Sequence, residues 1–73
     1  MTLYKKPQCP KCSVLEKKLV SKGVDFTVVE DEAATAEIGR REGILSAPIL
    51  EVNGEYFDFS HAKAYIDTVI GGN

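Results

Sequence analysis

Apolar residues recur along the chain with two spacings, and the changes between them mark the elements. Thr2–Lys5 is short and half apolar, which predicts a strand. Pro10 suits the first position of a helix that runs to about Lys22 and stops at Gly23. On it Cys12, Leu15 and Leu19 fall at i, i+3 and i+7, one apolar stripe. Cys12 therefore faces inward, and Cys9 sits just ahead of the helix. Val24–Glu30 is rich in β-branched residues, and Val24, Phe26 and Val28 alternate, so it reads as a strand. Asp31 to Glu42 forms a weaker helix, with Ala34 and Ile38 as its inner face and Gly43 closing it. Pro48–Asn53 is a strand headed by proline, the end position that tolerates it. Asn53-Gly54 is a two-residue hairpin signal of type I′, and Glu55–Phe59 is the returning strand. Ser60 is expected to cap a last helix whose inner stripe is Ala62, Tyr65, Ile66, Val69 and Ile70. Gly71-Gly72-Asn73 is expected to end it.

The order is β-α-β-α-β-β-α. Its first unit is a βαβ crossover, which requires parallel strands joined right-handed. The hairpin adds an antiparallel pair. The expected fold is α/β, a mixed four-stranded sheet flanked by three helices, in one domain over residues 1–73. At 73 residues there is no room for a second domain. Chains of this size bury only about 60% of the surface they expose when unfolded, so the core is small. No apolar run approaches the ~18 residues of a membrane span. Met1–Lys6 has no apolar stretch behind its charges, so no export signal is expected and the protein is assigned to the cytoplasm.

The net charge of −2 gives no reason to expect a nucleic-acid partner. Its distribution is uneven. Residues 1–22 hold six lysines against Glu16, a net +5; the rest holds Arg40, Arg41 and Lys63 against ten acids, a net −7. The basic part surrounds the two cysteines. Lys17, Lys18 and Lys22 read equally well as a solvated helix face. Lys5, Lys6 and Lys11 flank the cysteines closely enough to favour a thiolate and an anionic partner.

Two cysteines are too few for a disulfide-stapled secreted scaffold, and Cys9 and Cys12 are only three positions apart. A bridge over so short a loop constrains the unfolded chain far less than the ~3 kcal/mol of a 15-residue loop. The pair is therefore read as chemistry. A Cys-x-x-Cys at a helix start inside a βαβ unit is a redox motif. Unpaired N–H groups and roughly half a positive charge at the helix start favour a thiolate at Cys9. Cys9 would attack a substrate disulfide, and Cys12, one turn on and more buried, would resolve the mixed disulfide. Pro10 removes an N–H that would be unpaired anyway. The alternative is a metal or iron–sulfur module, in which Cys9 and Cys12 are half of a site completed in a dimer. A tetrahedral zinc site needs four ligands, and only His61 and acids remain in the chain.

These residues resemble the glutaredoxin branch of the thioredoxin superfamily, including the small NrdH-type redoxins. Lys6-Pro7-Gln8-Cys9-Pro10-Lys11-Cys12 is similar to that family's lysine, two residues, and Cys-Pro-x-Cys. Ser46-Ala47-Pro48 looks like its Thr-Val-Pro, and the element order matches along nearly the whole chain. The resemblance implies a thioredoxin-like fold, a cis Pro48 facing the cysteines, and Ala47 backbone open to an extended substrate. Without it Pro48 reads simply as the start of a strand. The resemblance also implies that Lys6 meets a substrate carboxylate. Ordinary thioredoxins fit less well, since Gln8 stands where they carry Trp.

Glutaredoxins carry Gly-Gly and an acidic pair before the last helix, where they hold glutathione. Asp58-Phe59-Ser60-His61-Ala62 stands there instead. Ser60 and its helix start remain able to receive a carboxylate. NrdH-type redoxins take electrons from a thioredoxin reductase; their Trp-Ser-Gly-Phe stretch is Phe57-Asp58-Phe59-Ser60 here. Of the two upstream donors, a thioredoxin reductase is expected to serve better than glutathione. Of Tyr56, Phe57 and Phe59 on one strand, at least one is expected in the core and one, Phe59, along the substrate groove, and Tyr4 is read as a packing residue. His61 is read as a solvated helix-start residue, and Arg40 and Arg41 as cations suited to a helix end. The expected protein is a monomer with no cofactor beyond a redox-active Cys9–Cys12 disulfide. Its expected partners are protein disulfides, with ribonucleotide reductase a target suggested by the resemblance alone.

Overall fold

The computed structural model describes residues 1–70. Its elements are β1 (Thr2–Lys5), α1 (Pro10–Ser21), β2 (Thr27–Glu30), α2 (Glu32–Glu42), β3 (Ile49–Val52), β4 (Glu55–Phe57) and α3 (Phe59–Tyr65). The chain beyond α3 continues as a π-helical turn, Ile66–Ile70. The strands form one mixed sheet ordered β2-β1-β3-β4. β1 and β2 run parallel, Thr2 opposite Thr27 and Lys5 opposite Glu30. β3 is antiparallel to β1, with Leu3 opposite Leu50, and β4 returns antiparallel to β3. The α/β architecture expected from the element order is the one observed.

The two central strands carry the core. Leu3, Ile49 and Leu50 are fully buried, whereas the edge strand β2 is largely exposed. Alternation along β3 divides the sheet into two faces. Leu50 and Val52 join Leu3 in a cluster with Leu15 and Leu19 of α1, Ala62 of α3 and Ile66. Ile49 points the other way, toward Gly39 of α2. Each fully buried leucine or isoleucine is worth about 1.5–3 kcal/mol relative to exposure, so this small cluster dominates the stability.

Several boundaries differ from the sequence reading, each for a local reason. β2 begins at Thr27, not Val24, because β1 offers no partner residue before Thr2; the Thr27 N–H reaches only the Met1 carbonyl, at 3.0 Å. Val24 and Phe26 still pack against the core, but Val28 lies on the uncovered edge and is exposed. On α2 the buried stripe is Thr35, Ile38 and Gly39, with Ala34 only half-buried. Burial of Thr35 is tolerated because its hydroxyl donates to the Asp31 carbonyl at 2.8 Å. β3 is narrower than Pro48–Asn53. Pro48 has no N–H for the ladder, and Asn53 (φ 51°) and Gly54 (φ 87°) make the turn, both left-handed as a type I′ hairpin requires.

β4 ends at Phe57, two residues early. Asp58 leaves the sheet and caps α3 with its carboxylate, so the cap is Asp58 and not Ser60; Phe59 and Ser60 lie in the first helical turn. In the last stripe Ala62 and Ile66 are fully buried, and Tyr65 and Ile70 are half-buried. Val69 is exposed, contrary to the 3.6-residue pattern. The wider π turn brings Ile70 round to the core and carries Val69 past it. Gly71-Gly72-Asn73 lies outside the described residues.

Candidate active site

β1 delivers the chain to the loop Lys6-Pro7-Gln8, and α1 begins two residues later. Gln8 has φ 55°, a left-handed conformation that costs a non-glycine residue about 1–2 kcal/mol. That turn sets Cys9 at the N-cap of α1 in extended conformation, with Pro10 in the first helical turn. The cap acceptor is usually an oxygen of Ser, Thr, Asp or Asn. Here it is sulfur: the Cys12 backbone N–H donates to Cys9 Sγ at 3.1 Å. The Ser13 N–H closes the first helical bond on the Cys9 carbonyl, also at 3.1 Å.

Cys9 and Cys12 are joined as a disulfide, their Cα atoms 5.2 Å apart. The two sulfurs are not equivalent in access. Cys12 is 1% exposed and forms part of the buried stripe with Leu15 and Leu19; Cys9 is half-exposed. An incoming thiol or thiolate therefore meets Cys9 first. On reduction, the sulfur left at Cys9 already lies on a backbone N–H at the positive end of a helix, which favours its anion.

The lysines divide in two groups. Lys5 Nζ lies 2.8 Å from Glu16 Oε1 and 4.0 Å from Glu30 Oε1. The hydrogen bond to Glu16 raises its pKa above the ordinary lysine value. Its charge is thus engaged within the molecule, not presented to a partner. Lys18 is likewise paired, to Asp67 at 2.9 Å. Among the described residues no ion pair involves Lys6 or Lys11. Lys11 Nζ lies 5.4 Å from the centre of the Phe59 ring, within cation–π range. That contact ties the first turn of α1 to the first turn of α3.

Three surface grooves meet around these residues. One, of about 400 Å³, is lined by Lys6, Cys9, Pro10, Cys12 and Glu30 among others. A second, of about 280 Å³, runs between Lys11, Phe59 and Ser60 on one side and Ser46 and Ala47 on the other. The third is the largest, about 470 Å³, and neither cysteine lines it. It shares Lys6 with the cysteine groove and Ala47 with the Phe59 groove, and Arg40 stands on its wall. Ala47 is 8% exposed, and Ser46 and Ala47 take part in none of the loop backbone hydrogen bonds among the described residues. The Ala47–Pro48 peptide is cis, the isomer the resemblance implies. Pro48 itself is fully buried and lines none of the three grooves.

Asp58 does more than the sequence reading gave it. Its Oδ1 accepts the His61 N–H at 2.9 Å and lies 2.7 Å from His61 Nδ1. The backbone N–H first, and the ring second, hold its carboxyl below the usual carboxylate range. The His61 ring is otherwise exposed. An Asp before a helical pattern was a capping signal as good as Ser60. It was hidden because Phe57 and Phe59 extend the strand alternation across it. Arg40 was likewise legible only as a helix-end cation, since nothing local tells which groove that end borders.

Among the described residues no three His, Cys, Asp or Glu side chains gather as a metal site. Nor, among the described residues, is any helix long and apolar enough to cross a membrane. The glutaredoxin family model matches residues 1–57, a span that runs from β1 through β4 and includes both cysteines and Pro48. α3 lies beyond it. No curated protein matches the chain.

Proposed function

The chain belongs to the glutaredoxin family, and from that premise we propose that it is a dithiol thiol–disulfide oxidoreductase reducing protein disulfides. The observation that carries this is the asymmetry of the cysteine pair. Cys9 is accessible and sits on a helix N-terminus, and Cys12 is buried one turn behind it.

In the reduced protein the Cys9 thiolate attacks one sulfur of a substrate disulfide. A Cys9–substrate disulfide forms, and the other substrate sulfur leaves as a thiolate and takes up a proton. The Cys12 thiolate then attacks Cys9 Sγ and expels the second substrate sulfur. The substrate gains two electrons from Cys9 and Cys12, which close the bond seen here, and two protons, one released by the Cys12 thiol and one taken from solvent. Ala47 offers its backbone to the extended substrate, and Pro48 fixes that backbone from beneath. Lys6, Lys11, Phe59 and Ser60 border the approach, and Pro10 begins the helix on which the exchange occurs.

The oxidised pair must be recharged. We assign that role to a thioredoxin reductase with NADPH in preference to glutathione. Asp58-Phe59-Ser60-His61 supports this choice, since it replaces the glycines and acidic pair with which glutaredoxins grip glutathione. Work in the cytoplasm, where dithiols are kept reduced, suits a reductant, and a monomer is sufficient for it. Ribonucleotide reductase is one target the family resemblance suggests.

The test is reduction of insulin by the wild type and by Cys9→Ser. Loss of activity in Cys9→Ser is expected; activity that survives it would refute the reading. Recharging is tested by giving the oxidised protein each reducing couple in turn. Faster recovery of free thiols with glutathione and its reductase would overturn the donor assignment.

A further inference from the structure

Leu45 is fully exposed, at 102% of its reference surface; Val20 and Val69 follow at 64%. A single exposed apolar side chain is ordinary on a protein surface. Leu45 differs in where it stands and how firmly it is held. It lies between α2 and β3, two residues before Ala47. The loop is clamped at its start, where the Ile44 N–H donates to the Gly39 carbonyl at 2.8 Å. The Ile44 carbonyl in turn fills the space that a side chain at position 39 would need. At its other end Ala47 and Pro48 are buried. The side chain between these anchors is presented to solvent.

Leu45 also lines two of the three grooves, with Ser46 and Ala47. The first groove carries Lys6 and Arg40, with Glu32; the second carries Lys11 and Phe59, with Asp58. Among the described residues no ion pair involves the three cations, whereas Asp58 is engaged by His61. An apolar knob thus stands between Lys6 and Arg40, with Glu32, on one side and Lys11, with Asp58, on the other.

We propose that Leu45 is a specificity-determining residue. It seats an aliphatic side chain carried by an extended, acidic segment of a protein substrate, close to the disulfide under attack. This rests on the disulfide-reducing reading above and adds the substrate class. With the Ala47 backbone receiving the substrate beside the attacked cysteine, as proposed above, the two residues from Ala47 to Leu45 span about 7 Å of extended chain, so the contact falls about two positions away. Burying a leucine against an aliphatic partner favours that substrate without touching the sulfurs.

The experiment uses the whole protein, 2-hydroxyethyl disulfide and two synthetic peptides. The peptides share one intramolecular disulfide and an Asp-rich flank, and carry either Leu or Ser two positions from the disulfide. For the wild type, kcat/KM is expected to be about tenfold higher for the Leu peptide, about 1.4 kcal/mol of discrimination. Leu45→Ser should bring the ratio to about one. Val20→Ser, on the outer surface of α1, should keep it near ten. Because each ratio is taken within one protein, a general loss of folding or activity cancels. A wild-type ratio near one, or a tenfold ratio kept by Leu45→Ser, would overturn the assignment of Leu45. A wild type that reduces none of the three disulfides would overturn the functional reading, and this inference with it.

Discussion

Gly39→Ala tests the packing of α2 against the loop that borders the site. On helix propensity alone the substitution should stabilise the protein, since alanine exceeds glycine by about 1 kcal/mol in a helix interior. The tertiary structure reverses the sign. Gly39 is buried, and a Cβ there would overlap the backbone carbonyl oxygen of Ile44, with the Ile49 side chain 3.9 Å away. A backbone atom cannot rotate aside as a side-chain tip does. Relief requires the loop from Ile44 to Ala47 to move, which stretches the 2.8 Å bond from the Ile44 N–H to the Gly39 carbonyl. Overpacking costs about 1–3 kcal/mol, and the lost hydrogen bond adds about 1. Against the propensity gain, a net loss of about 1–3 kcal/mol remains. In a domain of this size each kcal/mol lowers Tm by roughly 4–8 °C. Denaturant and thermal melts of Gly39→Ala should therefore show a clear loss. Glu37→Ala, on the exposed side of the same helix, should stay within about 0.5 kcal/mol of the wild type. A Gly39→Ala protein as stable as the wild type, or more so, would refute the close approach.

Cys12→Ser should stop the exchange half-way, so that mass spectrometry finds a substrate bound through Cys9, whereas Cys9→Ser should capture none. Asp58→Ala should cost about 1 kcal/mol near neutral pH through loss of the α3 cap, with Asp58→Asn retaining most of it. Because the folded-state pKa of Asp58 lies below its unfolded value, the part of its contribution that depends on charge is complete above the unfolded value near 4 and is lost as pH falls through the folded one, while the neutral carboxyl still caps as Asn does. Melts from pH 7 to pH 2 should show the gap between Asp58→Ala and the wild type narrowing at the acid end, and a gap independent of pH would contradict the assignment. Lys5 has the opposite sense. Its pKa is raised in the fold, so its contribution is present below the ordinary lysine value and is lost as pH rises through the folded one. Lys5→Gln should matter less in 1 M salt than at low ionic strength.

Local rules carried the parts of the fold governed by local geometry. β1 and the start of α1 fall where pattern and Pro10 place them, and Asn53-Gly54 makes the expected turn. The errors occur where one element's limit is set by another. β2 cannot pair beyond the length of β1. The second half of the Phe57–Phe59 alternation belongs to a helix, because the Asp58 carboxylate finds the His61 N–H. The cysteine pair was legible because three residues of spacing and one helical turn are properties of the chain itself. Lys5 was misjudged because its partners come from α1 and β2.

The sequence by itself determined an α/β fold and the two sulfurs one turn apart on a helix start. Those follow from the periods of strand and helix and from the fixed reach of the backbone. Only the tertiary structure decided which lysines are held in ion pairs within the molecule, that Arg40 and Lys6 share a groove, and that Leu45 stands on its lip beside Ala47. It also decided that Gly39 admits no side chain. The physical reason is the same in each case. Charge pairing and close packing depend on distances between elements remote along the chain, and neither spacing nor composition encodes those distances locally.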